Sequence, residues 1–178
     1  MNWIKKGIIF NPKKTNWSFS HASIPTPILI NNRIRVYYST RNKDNQSNPS
    51  YFETDINDPT IIKYVHNKPI LDIGKPGTFD DNGVLLCSVI KIDTKKYYMF
   101  YAGFELSLKV RYRLLSGIAV SNDGGCSFNR ILDVPILDRI NSEYLFRGGP
   151  FCLKEKEKFK LWYCSGDGWV NINSKNFP

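Results

Sequence analysis

The stretch from Phe79 to Gly103 is the middle copy of a unit that the chain writes three times. An acidic turn, Phe79-Asp80-Asp81-Asn82-Gly83, leads into an apolar run, a Lys/Asp hairpin follows, and a second run ends on Phe100-Tyr101-Ala102-Gly103. The same aromatic-Tyr-small ending stands earlier as Tyr37-Tyr38-Ser39-Thr40 and later as Trp162-Tyr163-Cys164-Ser165. With Tyr38, Tyr101 and Tyr163 taken as equivalent, the spacings are 63 and 62 residues, and Pro69-Ile70-Leu71-Asp72 returns as Pro135-Ile136-Leu137-Asp138 after 66. Two independent markers at nearly one period restrict the chain to folds built by stacking a repeated unit against itself.

Within each unit the pattern is that of strands. Pro27-Ile28-Leu29-Ile30, the tight turn Asn31-Asn32 and the alternating Arg33-Ile34-Arg35-Val36-Tyr37-Tyr38 read as a β-hairpin. Short strands near Ser50–Asp55 and Thr60–Val65 follow, with Asn57-Asp58-Pro59 turning between them and His66 expected on the surface. Val84–Ile92 is nearly continuous apolar sequence, as in a strand buried on both faces. It is followed by strands at Tyr97–Tyr101, Leu114–Val120 and Ser127–Leu132, with 106–113 read as a loop or a short extra element. No convincing helical period appears in this middle unit. Four antiparallel strands per repeat is the grammar of a β-propeller, so the expected fold class is all-β. The expected blades are 20–66, 67–133 and 134–178, with 1–19 giving an N-terminal strand at Ile8-Ile9-Phe10 and a lead-in.

Composition excludes several alternatives. The formal charge is +9, but Lys5-Lys6, Lys13-Lys14, Lys95-Lys96 and Lys154–Lys158 sit at turns or beside acids rather than in one block. That placement argues for solvated turns and against a nucleic-acid or membrane-surface partner, and leaves room for an anionic ligand. No run is long and apolar enough for a signal segment or a membrane span, so the expectation is a soluble, cytoplasmic protein. Cys87, Cys126, Cys152 and Cys164 lack zinc-site spacing and read as reduced thiols packed on strands. There is no Gly-rich phosphate loop, dinucleotide fingerprint, His-Glu-x-x-His helix or Gly-x-Ser-x-Gly elbow. No cofactor or transition-metal site is therefore expected, and an axial calcium is a hard-cation option that no residue pattern supports.

Four segments carry a family resemblance: Ser20-His21-Ala22-Ser23 with Pro25, Arg35–Arg41, Gly77 with Phe79-Asp80-Asp81 and Gly83-Val84, and Ile118–Phe128. They resemble five-bladed propellers related to glycoside hydrolase families 43 and 32, and within these the members found with bacterial surface-polysaccharide biosynthesis. The resemblance implies a carbohydrate-active protein that acts on or binds a glycan or sugar intermediate through an axial pocket. Its alternatives are a non-catalytic sugar-binding or scaffolding propeller and an inactive remnant. Two and a half to three blades stand here where the family has five, which implies a truncated or split chain, or self-association or a second chain completing the propeller.

The resemblance also places candidate site residues at the starts of the inner strands. These are Ser20-His21 in the first unit, Asp80-Asp81 in the second, and Glu143 with Arg147 in the third. Related hydrolases carry an acid at each of three blade starts, and His21 stands at the first of these positions. Glycosidic cleavage uses a carboxyl pair, for which Asp80 or Asp81 with Glu143 are the candidates, and His21 is a base or ligand contact. Adjacent carboxylates whose environments differ suit acid/base work. Arg41 and Arg147 offer guanidinium forks to a sugar, and Trp169 or Trp17 a flat face. Ser121, Asp123, Gly125 and Phe128 match the Asp-box pattern, a structural turn at a blade periphery.

Overall fold

The alternating segment Arg33–Tyr38 forms the central part of β2 (Arg33–Arg41) in the computed structural model, which describes residues 2–177. Strand β2 pairs antiparallel with β1 (Ser20–Ile30) on one side and with β3 (Ser47–Asp55) on the other, and β4 (Ile62–Val65) completes a sheet of order β1-β2-β3-β4. The turn into β2 works because Asn31 takes a left-handed φ of 53°, a region asparagine tolerates.

The middle unit gives β5 (Val84–Lys91), β6 (Tyr97–Leu106), β7 (Tyr112–Ser121) and the short β8 (Asn129–Arg130), again an antiparallel meander. Of the segment 106–113, only 107–111 connects β6 and β7; Leu106, Tyr112 and Arg113 belong to the strands, with Leu106 paired to Tyr112. A third hairpin, β9 (Phe146–Glu155) with β10 (Lys158–Gly166), joins β7 through one parallel pair, Leu115 with Arg147. That bridge makes β10-β9-β7-β6-β5 one path, so the third unit shares a sheet with the second. The last strands, β11 (Val170–Ile172) and β12 (Lys175–Phe177), pair with each other rather than extending β10. Asn173 and Ser174, both at positive φ, make the tight turn between them. All twelve strands are accompanied by no helix among the described residues.

Two apolar clusters hold the sheets. The larger lies between β2-β3 and β5-β6-β7, and includes Tyr37, Tyr51, Leu86, Met99, Tyr101 and Phe128, with Ile70 and Leu71 from the repeated Pro-Ile-Leu-Asp segment. Burying each such side chain contributes about 1.5–3 kcal/mol before chain entropy is counted. The smaller cluster, Val36, Tyr38 and Phe52, occupies the opposite face of the first sheet. Here the structure departs from the sequence reading: Ile8–Phe10 forms no strand. Phe10 instead stacks on Phe52 with ring centroids 4.1 Å apart and meets Tyr38 edge-on, and Pro12 just beyond it has no N–H to give a ladder.

Both faces of β2 are therefore buried, and Arg35 goes inside with Tyr37. Its guanidinium donates to Glu53 Oε1 at 2.7 and 3.0 Å and to the Gly124 carbonyl at 2.7 Å. Tyr37 Oη donates to the Gly125 carbonyl at 2.9 Å. The first sheet thus grips the turn after β7, and a Cβ at Gly125, where φ is +80°, would run into Tyr37 Oη. His66, expected at the surface, is buried. Its ring stacks on Tyr51 at 4.7 Å and its backbone N–H donates to the Tyr51 carbonyl, because β4 folds back across β3.

Candidate functional site

Strand pairing brings the unit starts to one end of the molecule. Ser20 pairs with Arg41, Arg41 with Ser47, and Ser47 bridges in parallel to Gly83. Val84 then pairs with Gly103, Leu115 bridges to Arg147, and Phe146 pairs with Gly166. The two inter-unit bridges are equivalent: each joins the third strand of one unit to the start of the next unit's inner strand. At the Ser47 bridge the backbones come so close that a Cβ at Gly83 would lie 2.7 Å from the Ser47 nitrogen.

The inner strands β1, β5 and β9 line a broad cavity of about 740 Å3 through Ile24–Ile28, Cys87–Lys91 and Phe151–Lys154. Its lining is largely apolar. Ser88 is an exception, donating to the Pro150 carbonyl at 3.2 Å and accepting from Cys152 N–H at 3.1 Å. The starts of the inner strands form the mouth end. There a second cavity, about 360 Å3, opens between β2-β3 and β6-β7, lined by Arg41, Ser47, Asn82, Arg111 and Tyr112 with apolar side chains between them. Tyr112 meets Phe104 edge-on at 5.4 Å, giving that cavity an aromatic wall.

The acids of the sequence analysis have separate fates. Asp80 is fully buried, receives Arg130 Nε at 2.7 Å and Thr78 Oγ1 at 3.0 Å, and lines neither cavity. Asp81 is half-buried and accepts the Gly77 N–H at 2.9 Å, next to the cavity residue Asn82. Glu143 and Arg147 come together as an ion pair at 2.6 Å. Tyr163 Oη lies 3.2 Å from Glu143 and receives Arg147 Nη2 at 2.9 Å. The hydrogen bond to Tyr163 raises Arg147 above its ordinary pKa, with burial opposing and Glu143 adding to it. Burial, followed by the Asp80 charge, raises Tyr101 likewise.

Sequence reasoning missed this shared device. Asp80 with Arg130 near Tyr101, and Glu143 with Arg147 near Tyr163, each set a carboxylate–arginine ion pair by a repeat tyrosine; Tyr163 Oη bonds its pair, whereas Tyr101 Oη has no hydrogen-bond partner among the described residues, and the arginines come from different strands, β8 and β9. The two tyrosines are the repeat markers themselves, so their period carried a signal for a recurrent neighbouring ion pair.

The remaining candidates are spread along the mouth end and beyond it. His21 has a left-handed φ of 67°, its Nδ1 lies 2.8 Å from Ser20 Oγ, and it lines a recess of about 260 Å3 with Ser18 and Lys14. Arg41 donates to Asn45 Oδ1 at 2.8 Å. Trp169 borders a small cavity of about 70 Å3 shared with Arg111 and Tyr112, which places it beside the larger one. Trp17 lies elsewhere, with Phe10 and Tyr38.

Ser121, Asp123, Gly125 and Phe128 are at the opposite end, where Asp123 accepts from the N–H groups of Cys126 and Ser127 and from both neighbouring serine hydroxyls. Burial opposes that charge, yet the hydroxyls and N–H groups together lower Asp123 to about 2. Among the described residues no three His, Cys, Asp or Glu side chains are grouped as a metal site requires, and no helix is long and apolar enough to cross a membrane.

Comparison with known proteins agrees on the fold. No family model matches the chain. The uncharacterized protein Rv1502 of Mycobacterium tuberculosis (strain ATCC 25618 / H37Rv) is 32% identical over 172 residues, covering 95% of this chain and 56% of that protein. Its counterpart in strain CDC 1551 / Oshkosh, uncharacterized protein MT1551, matches equally. The chain thus spans about half the length of the curated relatives it matches. Among solved structures, it is similar to a family 117 glycoside hydrolase, Zg3597, of the marine bacterium Zobellia galactanivorans, with TM-score 0.63 and 15% identity over 86% of this chain and 53% of that one. A thermostable family-43 glycoside hydrolase gives TM-score 0.59 and 17% identity over 85% of this chain and 48% of that one. The chain therefore has a glycoside hydrolase-like all-β fold of the propeller type.

Proposed function

We propose that this protein is carbohydrate-active and holds a glycan or sugar intermediate in the cavity between β2-β3 and β6-β7. The observation that carries this reading is the lining of that cavity: guanidinium and amide donors from Arg41, Arg111 and Asn82 surround an aromatic wall at Tyr112. Sugar recognition uses that combination, directional hydrogen bonds to hydroxyls with a flat apolar face against the ring. Trp169 supplies a second flat face beside it.

Binding is favoured over cleavage, because the acids expected as a catalytic pair are otherwise engaged. Asp80 is enclosed with Arg130 and has no path to a ligand, while Glu143 is tied to Arg147 and Tyr163. In the blade reading, 20–66, 67–133 and 134–178 are successive blades and the turn at Ser121–Phe128 is an Asp-box pinning the second. The recurrence of the inter-unit bridge supports it.

A cleavage reading is favoured by one observation. Asp81 spends one oxygen on the Gly77 N–H and stands one residue from the cavity. As a carboxylate there it would activate water or attack the sugar; Glu143, outside the lining of this cavity, would have to leave its ion pair with Arg147 to serve as proton donor. A glycan-binding screen run beside a reducing-sugar release assay separates the two. The binding reading expects captured oligosaccharide with no release by wild type; turnover that disappears in Asp81→Asn and Glu143→Gln establishes cleavage instead, and no captured glycan at all sinks the proposal.

A further inference from the structure

We infer that the cavity between β2-β3 and β6-β7 selects acidic sugars, saccharides bearing a carboxylate or phosphate; this rests on the sugar-binding reading above. The chain has eight arginines. Six of them, Arg33, Arg35, Arg113, Arg130, Arg139 and Arg147, stand within ion-pair distance of a carboxylate. The other two, Arg41 and Arg111, make no ion pair among the described residues, and both line this one cavity.

Arg41 is steadied by a neutral partner, Asn45, which fixes its position without cancelling its charge. Arg111 makes no side-chain hydrogen bond among the described residues, and its guanidinium carbon lies over the Tyr112 ring, 6.0 Å from its centre. No Asp or Glu lines the cavity, and Glu105 on the same stretch of β6 is engaged by Arg113 at 3.8 Å. Two like charges held at one cavity without a counter-charge favour an anionic ligand, and the guanidinium fork matches carboxylate and phosphate oxygens alike.

An independent observation points the same way. Ser47 is only 4% exposed, lines the same cavity, and its Oγ has no hydrogen-bond partner among the described residues. A buried hydroxyl left unpaired is costly, and turning the side chain toward the cavity would let a ligand oxygen satisfy it. Asn82 adds an amide for a sugar hydroxyl and Tyr112 a face for the ring, so the cavity offers contacts for a saccharide as well as for an anion.

The test is an NMR titration of the 178-residue chain with glucuronate, glucose 1-phosphate, glucose and inorganic phosphate, each at low and high salt. Glucuronate or glucose 1-phosphate should bind on the order of tenfold tighter than glucose, with affinity falling as salt rises. Which of the two binds tighter identifies the anion as carboxylate or phosphate. Arg41→Gln and Arg111→Gln should each weaken acidic-sugar binding by about tenfold, Ser47→Ala by less, and Arg139→Gln, outside the cavity, not at all. Arg41→Lys retains the charge without the fork and should fall between, which separates loss of recognition from loss of fold. Equal binding of glucose and glucuronate overturns the acidic preference and leaves the sugar-binding reading standing. Phosphate binding as tight as either acidic sugar overturns both, as does binding of none of the four.

Discussion

Arg35 occupies a position that alternation along β2 would give to solvent, yet it is 6% exposed and bonded to Glu53, itself 8% exposed. The sequence could not reveal this, because alternation marks faces and does not say that both faces of a strand will be covered. Removing one partner of such a pair leaves the other charge buried and uncompensated, which typically costs 3–5 kcal/mol. Glu53→Gln, which retains an acceptor but leaves Arg35 without a carboxylate, should destabilise the protein by about 3 kcal/mol in urea unfolding; Arg35→Met should cost less, since Glu53 keeps its second ion pair with Arg33. His66 gives a second residue-level expectation. Burial, then the Lys68 and Arg35 charges, hold its pKa below the ordinary 6.5. The stability tied to the neutral ring is fully present above that ordinary value and is lost as pH falls through the lower folded value. The unfolding midpoint should therefore drop on acidification below about pH 6.5, and His66→Gln should flatten that drop.

Among the elements, the turn from Ser121 to Phe128 was the most legible, since its residue types and spacing specify its own hydrogen bonds. What it packs against was not legible: Arg35 and Tyr37, nearly ninety residues earlier, hold its carbonyls. Asp123 lies well below the usual carboxylate value, so its contribution is present above about pH 3.8 and is lost as pH falls through about 2. A shift of that size would carry roughly 2.5 kcal/mol in full, but the side chain is exposed, so we assign it about 1 kcal/mol. Asp123→Ala should lower stability by about that amount at pH 7 and leave it unchanged near pH 1. Gly125→Ala acts on the same turn through the backbone and the Tyr37 contact together, and a loss of about 2–3 kcal/mol is expected from thermal or urea unfolding. The short strand expected at Ile8–Phe10 failed for a reason invisible locally: the outer face of the first sheet takes Phe10 as a packing side chain, not as a ladder partner.

At the scale of the molecule, the repeat read from Tyr38, Tyr101 and Tyr163 foretold antiparallel meanders and the gathering of unit starts at one end. It did not foretell which polar residues would face open space. Asp80 and Asp81 are neighbours in sequence, but one points into an ion pair with Arg130 and the other stands beside the cavity residue Asn82, because the turn at Gly83 is fixed by its contact with Ser47. The residues that line the mouth cavity, Ser47, Asn82, Arg111 and Tyr112, come from different units and share no motif, so only the fold assembles them. The central claim is that a sugar is held there. Amide chemical-shift mapping of the labelled protein with an oligosaccharide captured in the screen tests it most directly. The account predicts perturbations centred on Arg41, Ser47, Asn82, Arg111 and Tyr112; perturbations confined to the inner-strand residues Ile24–Ile28 and Cys87–Lys91, with that cluster silent, would contradict it.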